Sequence, residues 1–252
     1  MTTSQKIPWK RISVEAVAIV ASILLAFAID AWWEQRQQRD EAKDQLVAIL
    51  ADMQTAEEYV QWYRKVSLAR QESVERLMVA ASSASDRPAD ESLDEMLSHF
   101  NWPTETNIMP EGSVEALILS GNLSLIESEV LRRKLSGWSS FLSYLREIIR
   151  QDYLFNSDVW LPYLQKNGES YQIESAGKGE PGHPDEVWGG QGQWPEISYE
   201  RFDHSTLLED REFRNILVQL WVIQDSLQAA FEELETELSQ TMPLIQDEIE
   251  RQ

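Results

Sequence analysis

Residues Ile12–Trp33, ISVEAVAIVASILLAFAIDAWW, decide how the chain is read. From Ala16 to Ile29 this stretch carries no charge, and Glu15 and Asp30 close its two ends. Fourteen residues are short for a membrane crossing, which takes about 20 residues for a hydrocarbon layer about 30 Å thick. The flanks supply the missing length: Trp9 to Trp32 spans roughly 35 Å at about 1.5 Å of helix per residue. Trp9 on one side and the Trp32–Trp33 pair on the other fit the aromatic belts of the two membrane surfaces. Glu15 and Asp30 then fall near the edges of the hydrocarbon layer, away from its centre, where a charge costs most. Ala18, Ser22 and Ala26, four residues apart, share one helix face and form a candidate packing face for a neighbouring helix.

A cleaved secretory leader is the main rival. Met1–Arg11 would be its basic region, Val14–Leu25 its apolar region, and Ala26-Phe27-Ala28 its cleavage pattern. Glu15 interrupts that apolar region, and the helical pattern runs on through the cleavage point into Trp32, Trp33 and a charged segment. The expectation is an uncleaved anchor. Lys6, Lys10 and Arg11 precede it and Arg36, Arg39 and Lys43 follow it, so basic residues alone leave orientation tied. The terminal amine and the Lys10–Arg11 pair place the N-terminus on the cytoplasmic side and the bulk of the chain in the periplasm.

The remainder is strongly acidic. Residues 1–33 carry +1, so of the chain's net −21 the other 219 residues carry −22. Such a domain is repelled by nucleic acid and by anionic lipid headgroups. With no cysteine, it has neither a disulfide framework nor a thiolate metal site.

Apolar residues recur at helical spacing over almost all of 34–252. Leu46, Ile49, Met53, Ala56, Val60 and Tyr63 begin a stripe that Ser67 and Arg70 interrupt and Val74 and Leu77 resume. That interruption predicts a helix within a bundle, ending near Ala81, rather than a simple two-stranded coil. Ser82–Pro88 reads as a loop. Ser92 is placed to cap a short helix over 93–100, Ser113 another over 114–120 with Gly121 as its stop, and Ser128 a long helix reaching about Tyr163, which Pro162 would bend or end. Residues 168–199 hold a Gly/Pro-rich irregular insertion with Trp188 and Trp194. A strong helix starting near Ser205 or Asp210 carries Phe213, Ile216, Leu220, Leu227, Phe231 and Leu238, and Pro243 would open a last helix over 244–251.

Two stretches carry a resemblance. Val14-Glu15, Ser22–Phe27 and Asp30–Glu34 form one; Leu117–Leu123 with Leu131-Arg132 form the other, and Leu207–Leu217 adds a weaker echo. On these residues the chain resembles an uncharacterised family of bacterial membrane proteins with one N-terminal span and a helical extramembrane region. The resemblance implies a bacterial inner-membrane anchor and supplies no activity.

No motif carries chemistry. His99, His183 and His204 follow no metal-ligand spacing, although Asp203-His204 with His183, Asp185 and Glu186 would meet if the insertion folded back. Gly189-Gly190-Gln191-Gly192 lacks the strand and lysine of a phosphate cradle. The expected architecture is therefore all-α: an N-terminal transmembrane helix (1–33) continuing into an elongated, antiparallel helical bundle (34–252). The expected role is a non-enzymatic scaffold or accessory subunit without a cofactor. Its partners would be the lipid bilayer and either further copies of itself or a membrane complex, with nucleic acid excluded. The alternative is an extracytoplasmic ligand-binding, sensor-like domain with 168–199 as its lid. An enzyme would need convergent carboxylates in a cleft.

Overall fold

A computed structural model of the chain describes residues 9–83, 88–101, 112–176 and 200–251; the side chains of 9–17 and of Asp90 lie outside that description. Every element among the described residues is helical. The spine is α1, Trp9–Ser82, an unbroken helix of 74 residues and about 110 Å at about 1.5 Å per residue. No Gly or Pro interrupts it, so its backbone ladder has no built-in break. It is the one described helix long and apolar enough to cross a membrane. Residues 18–41 of α1 are exposed all round, and Ala42 is the first to be buried.

From Ala42 onward α1 is covered. Asp90–Ser98 (α2) and Gly112–Leu119 (α3) are short. Glu129–Phe155 (α4) runs through a wider π-helical turn, Asn156–Trp160, into Leu161–Asn167 (α5). Ser170–Ala176 (α6) follows, and Arg211–Arg251 (α7) closes the fold with 41 residues. The long helices α1, α4 and α7 form a packed bundle, with α7 lying along α1. Arg64 meets Glu232 and Glu235, Ser67 meets Gln224, and Glu75 meets Trp221. Partners on α7 thus fall in number as those on α1 rise.

Two apolar cores stack along the bundle. The first joins Leu46–Tyr63 of α1 to Leu117, Leu131–Ile149 of α4 and Leu227–Ile245 of α7. The second joins Val74–Ala80 to Leu93, Leu97, Phe100, Trp160 and Phe213–Leu220. Each fully buried large side chain contributes about 1.5–3 kcal/mol. Between the cores lie Ser67, Arg70, Ser73, Asp152, Asn156 and Gln224, all buried and polar. The interruption in the α1 stripe is this layer.

Several local signals act as the sequence suggests. Gly121 takes φ 79°, the left-handed conformation that stops α3. Ser128 caps α4 by accepting the Leu131 N–H at 3.2 Å, and Asp210 accepts the Glu212 N–H at 2.9 Å at the start of α7. Others differ. Helix α2 starts at Asp90 after Ala89 instead of being capped by Ser92. Pro162 does not end its helix, because the wider turn just before it puts the ring in the first turn of α5, where a missing N–H is harmless. Pro243 does not open a separate helix: α7 continues through it to Arg251, held by buried Thr241, Ile245 and Glu248 on either side. The start of the supposed irregular insertion folds as α6, burying Gln172 and Ile173; residues 177–199, with Trp188 and Trp194, lie outside the described residues.

Candidate functional site

The membrane-type segment is built on one continuous helix, so spacing along α1 sets every distance in it. Trp32 and Trp33 are adjacent, with ring centroids 6.2 Å apart and planes tilted by 54°. The Arg36 guanidinium sits 6.0 Å from the Trp32 ring centre, within range of a cation–π attraction. Ser22 donates its hydroxyl to the Ala18 carbonyl at 2.8 Å, which satisfies the hydroxyl inside the helix and leaves Ala18, Ser22 and Ala26 as a low, exposed ridge. Asp30 is exposed two residues before Trp32. Trp9 and Glu15 fall on the same helix, with side chains outside the described set. Ile19, Leu24, Leu25, Phe27 and Ile29 are each more than half exposed, an apolar surface that nothing among the described residues covers.

Beyond Trp33 nothing among the described residues covers the helix for about two turns. Residues 34–44 hold seven charged side chains; Gln37 bonds Glu41 at 3.2 Å.

Charged and polar side chains missed from sequence cluster inside the bundle. Arg70 pairs with Asp152 at 3.5 Å and donates Nε to the His99 carbonyl at 2.9 Å. Gln224 donates to Asp152 at 3.1 Å, and Ser73 contacts His99 Nδ1 at 2.8 Å. Burial, with the Arg70 charge nearby, lowers the His99 pKa, while Glu95 and Glu72 oppose the shift. Trp160 Nε1 donates to Asn101 at 3.1 Å, and Asn156 donates to the Phe100 carbonyl.

A second cluster joins α2 and α6 to the 200–204 segment. The Glu169 N–H donates to His204 Nε2 at 2.9 Å, so the ring proton sits on Nδ1, which meets Asp94 Oδ1 at 2.6 Å. Gln172 donates to Asp94 at 2.8 Å and accepts the Phe202 N–H at 2.9 Å. His204 is buried at 1% exposure. Its supposed cation partners His183, Asp185 and Glu186 lie outside the described residues. Asp94 was the legible signal: it is an acid on the buried arc of an amphipathic helix, beside Leu93, Met96 and Leu97.

Among the described residues, grooves open on the surface. One, of about 160 Å³, lies between α1 and α2 and is lined by Glu72, Ser73, Arg76, Glu95 and His99. The other, of about 410 Å³, lies along α4 beside α7, over Val130, Gly137, Trp138 and Phe141. No group of three or more His, Asp or Glu side chains among the described residues is placed to hold a metal. The chain matches no family profile, no curated protein and no solved structure.

Proposed function

We propose that the chain is a membrane-anchored, non-enzymatic scaffold or accessory subunit that presents helix faces of an antiparallel bundle to protein partners. The observation that carries this reading is the continuity of α1. One helix supplies both the uncovered apolar segment and, from Ala42 on, the spine of both cores. A leader cut after Ala28 would leave Ile29, Trp32 and Trp33 exposed to water at a free end, whereas an anchor gives them lipid and an interface. The tryptophans at Trp9, Trp32 and Trp33, with Glu15 and Asp30 as edge charges, set the depth in the bilayer. The resemblance to bacterial single-span proteins supports an inner-membrane location with the acidic bundle in the periplasm, where its charge holds it off anionic lipid.

Membrane fractionation with alkaline carbonate extraction, followed by crosslinking and mass spectrometry on native membranes, tests the proposal. The expected result is an uncleaved chain that stays in the carbonate-resistant pellet and crosslinks through bundle residues to protein. Release as a soluble chain beginning after Ala28 would remove the anchor, and an intact anchored chain with no crosslinked protein would remove the scaffold role. A Ser239→Cys variant, in a chain otherwise free of cysteine, should react with a membrane-impermeant thiol reagent from the periplasmic side. Marked thermal stabilisation by a small molecule or divalent cation would turn the reading to a ligand sensor.

A further inference from the structure

We propose that the groove of α4 and α7 is a two-fold interface between two copies of this chain, each copy's α4 lying on its partner's α7. The inference rests on the anchored-scaffold reading and names the partner.

Gly137 is the first observation. It sits inside α4, where glycine costs about 1 kcal/mol relative to alanine, yet a Cβ built there meets nothing within 4 Å. Neither a turn nor a close approach among the described residues calls for it. It opens the groove of about 410 Å³ whose floor includes Trp138 and Phe141. Tyr144, two turns along the same side of α4, is 53% exposed.

Charge points to the occupant. Residues 130–146 hold four Arg and Lys and no acid, in a chain of net −21, while residues 224–250 hold eight acids and no base. Within one chain these helices share the Lys134–Glu237 ion pair, at 2.7 Å. Arg133 on the groove's rim has no acidic partner among the described residues. A surface carrying a basic helix beside an acidic one is complementary to itself, which a two-fold interface requires.

The membrane fixes the axis. Two copies anchored in one bilayer are related by an axis along its normal, which keeps each residue at its own height. Lys134 is level with Glu237 and Gln240, and Asp152 with Gln224. The same offset places Tyr144 opposite the partner's Ala229 and Gly137 opposite the partner's Thr236. A large exposed ring therefore meets a small residue, and the glycine admits a branched one.

The full-length chain in lipid nanodiscs or native membranes tests this. Tyr144→Cys and Ala229→Cys chains, made separately and co-expressed, should form a disulfide-linked dimer on mild oxidation, and neither should do so alone. A strong crosslink from Tyr144→Cys alone, or none from the mixture, overturns the arrangement. Gly137→Leu fills open space on a helix that it favours, so the fold should melt at a higher temperature while self-association weakens about tenfold or more, equivalent to about 1.4 kcal/mol. Unchanged association in that variant overturns the groove as the interface. A crosslink to a different protein in place of the second copy also overturns it. Fractionation of the same samples separates the two readings: a chain firmly in the membrane that does not pair sinks this inference alone.

Discussion

Arg70 of α1 and Asp152 of α4 form an ion pair at 3.5 Å with both side chains almost out of solvent, 5% and 6% exposed. It stands between two apolar cores and is tied to α7 through Gln224. Buried pairs of this kind often do little for net stability compared with apolar replacements, but losing one partner strands the other. Arg70→Met or Asp152→Leu alone should each destabilise the bundle by about 3–5 kcal/mol, and the double variant should recover much of that loss. Urea titration of the three variants in detergent, followed by far-UV circular dichroism, gives the comparison.

Glu248 is fully buried. Its carboxylate accepts the N–H groups of Glu127 and Ser128 at 2.5 and 3.2 Å and meets Arg251 at 3.4 Å. It thereby ties the end of α7 to the start of α4. Glu248→Ala leaves two backbone donors without an acceptor and should cost about 2–4 kcal/mol. The same urea titration would read it, and a loss below about 0.5 kcal/mol would show that water replaces the carboxylate.

Thr241 is buried with its hydroxyl making no hydrogen bond to any described residue. Thr241→Val keeps the shape and removes the stranded polar atom, so stability should rise by about 1 kcal/mol. A fall in melting temperature would mean that the hydroxyl has a partner in solution.

His204 holds α6 against α2. Gly168 approaches it so closely that an added Cβ would lie 3.2 Å from Nε2 and 3.3 Å from the Leu164 carbonyl. His204→Ala should release α6 without melting the long helices. Hydrogen exchange of the 170–176 amides should accelerate about tenfold or more, a loss of about 1.4 kcal/mol in local protection, while α4 and α7 keep theirs.

The folded-state pKa of His99 is lowered by burial, so the unfolded chain binds this proton more readily than the folded one. The histidine's contribution to stability is full above its ordinary value of 6.5. It is lost as pH falls from there through the depressed folded value. A His99→Gln variant should show a flatter melting temperature between about pH 7 and 5 than the parent. Equal slopes would mean that His99 is solvated in both states.

Much of the architecture was legible because it follows from periodicity. The stripe from Leu46 to Leu77 marked α1, and the Gly121 stop and Ser128 cap needed only local chemistry. Ser67 and Arg70 could be seen to break the stripe, but their partners Asp152 and Gln224 are distant in sequence, so the polar layer itself was invisible. Pro243 misled because tertiary packing carries α7 through a proline that local propensity would make a helix start, and Pro162 because the wider turn before it places the ring in a first turn. The burial of His204 left no local mark, because it comes from α2 and α6, neither next to it in the chain.

The bare turns of α1 between Trp33 and Ala42 have a mechanical consequence. Because one helix with no interrupting residue joins the apolar segment to the cores, the bundle cannot swivel freely relative to that segment. Each residue of that stalk sets both height and heading, about 1.5 Å and about 100°. Adding a single alanine after Gln38 would turn the whole bundle by more than a quarter of a revolution relative to the Trp32–Trp33 edge. Adding seven would nearly restore its heading while lifting it about 10 Å. The stalk is thus a rotary index, fixing which side of the bundle lies in line with any chosen face of the apolar segment.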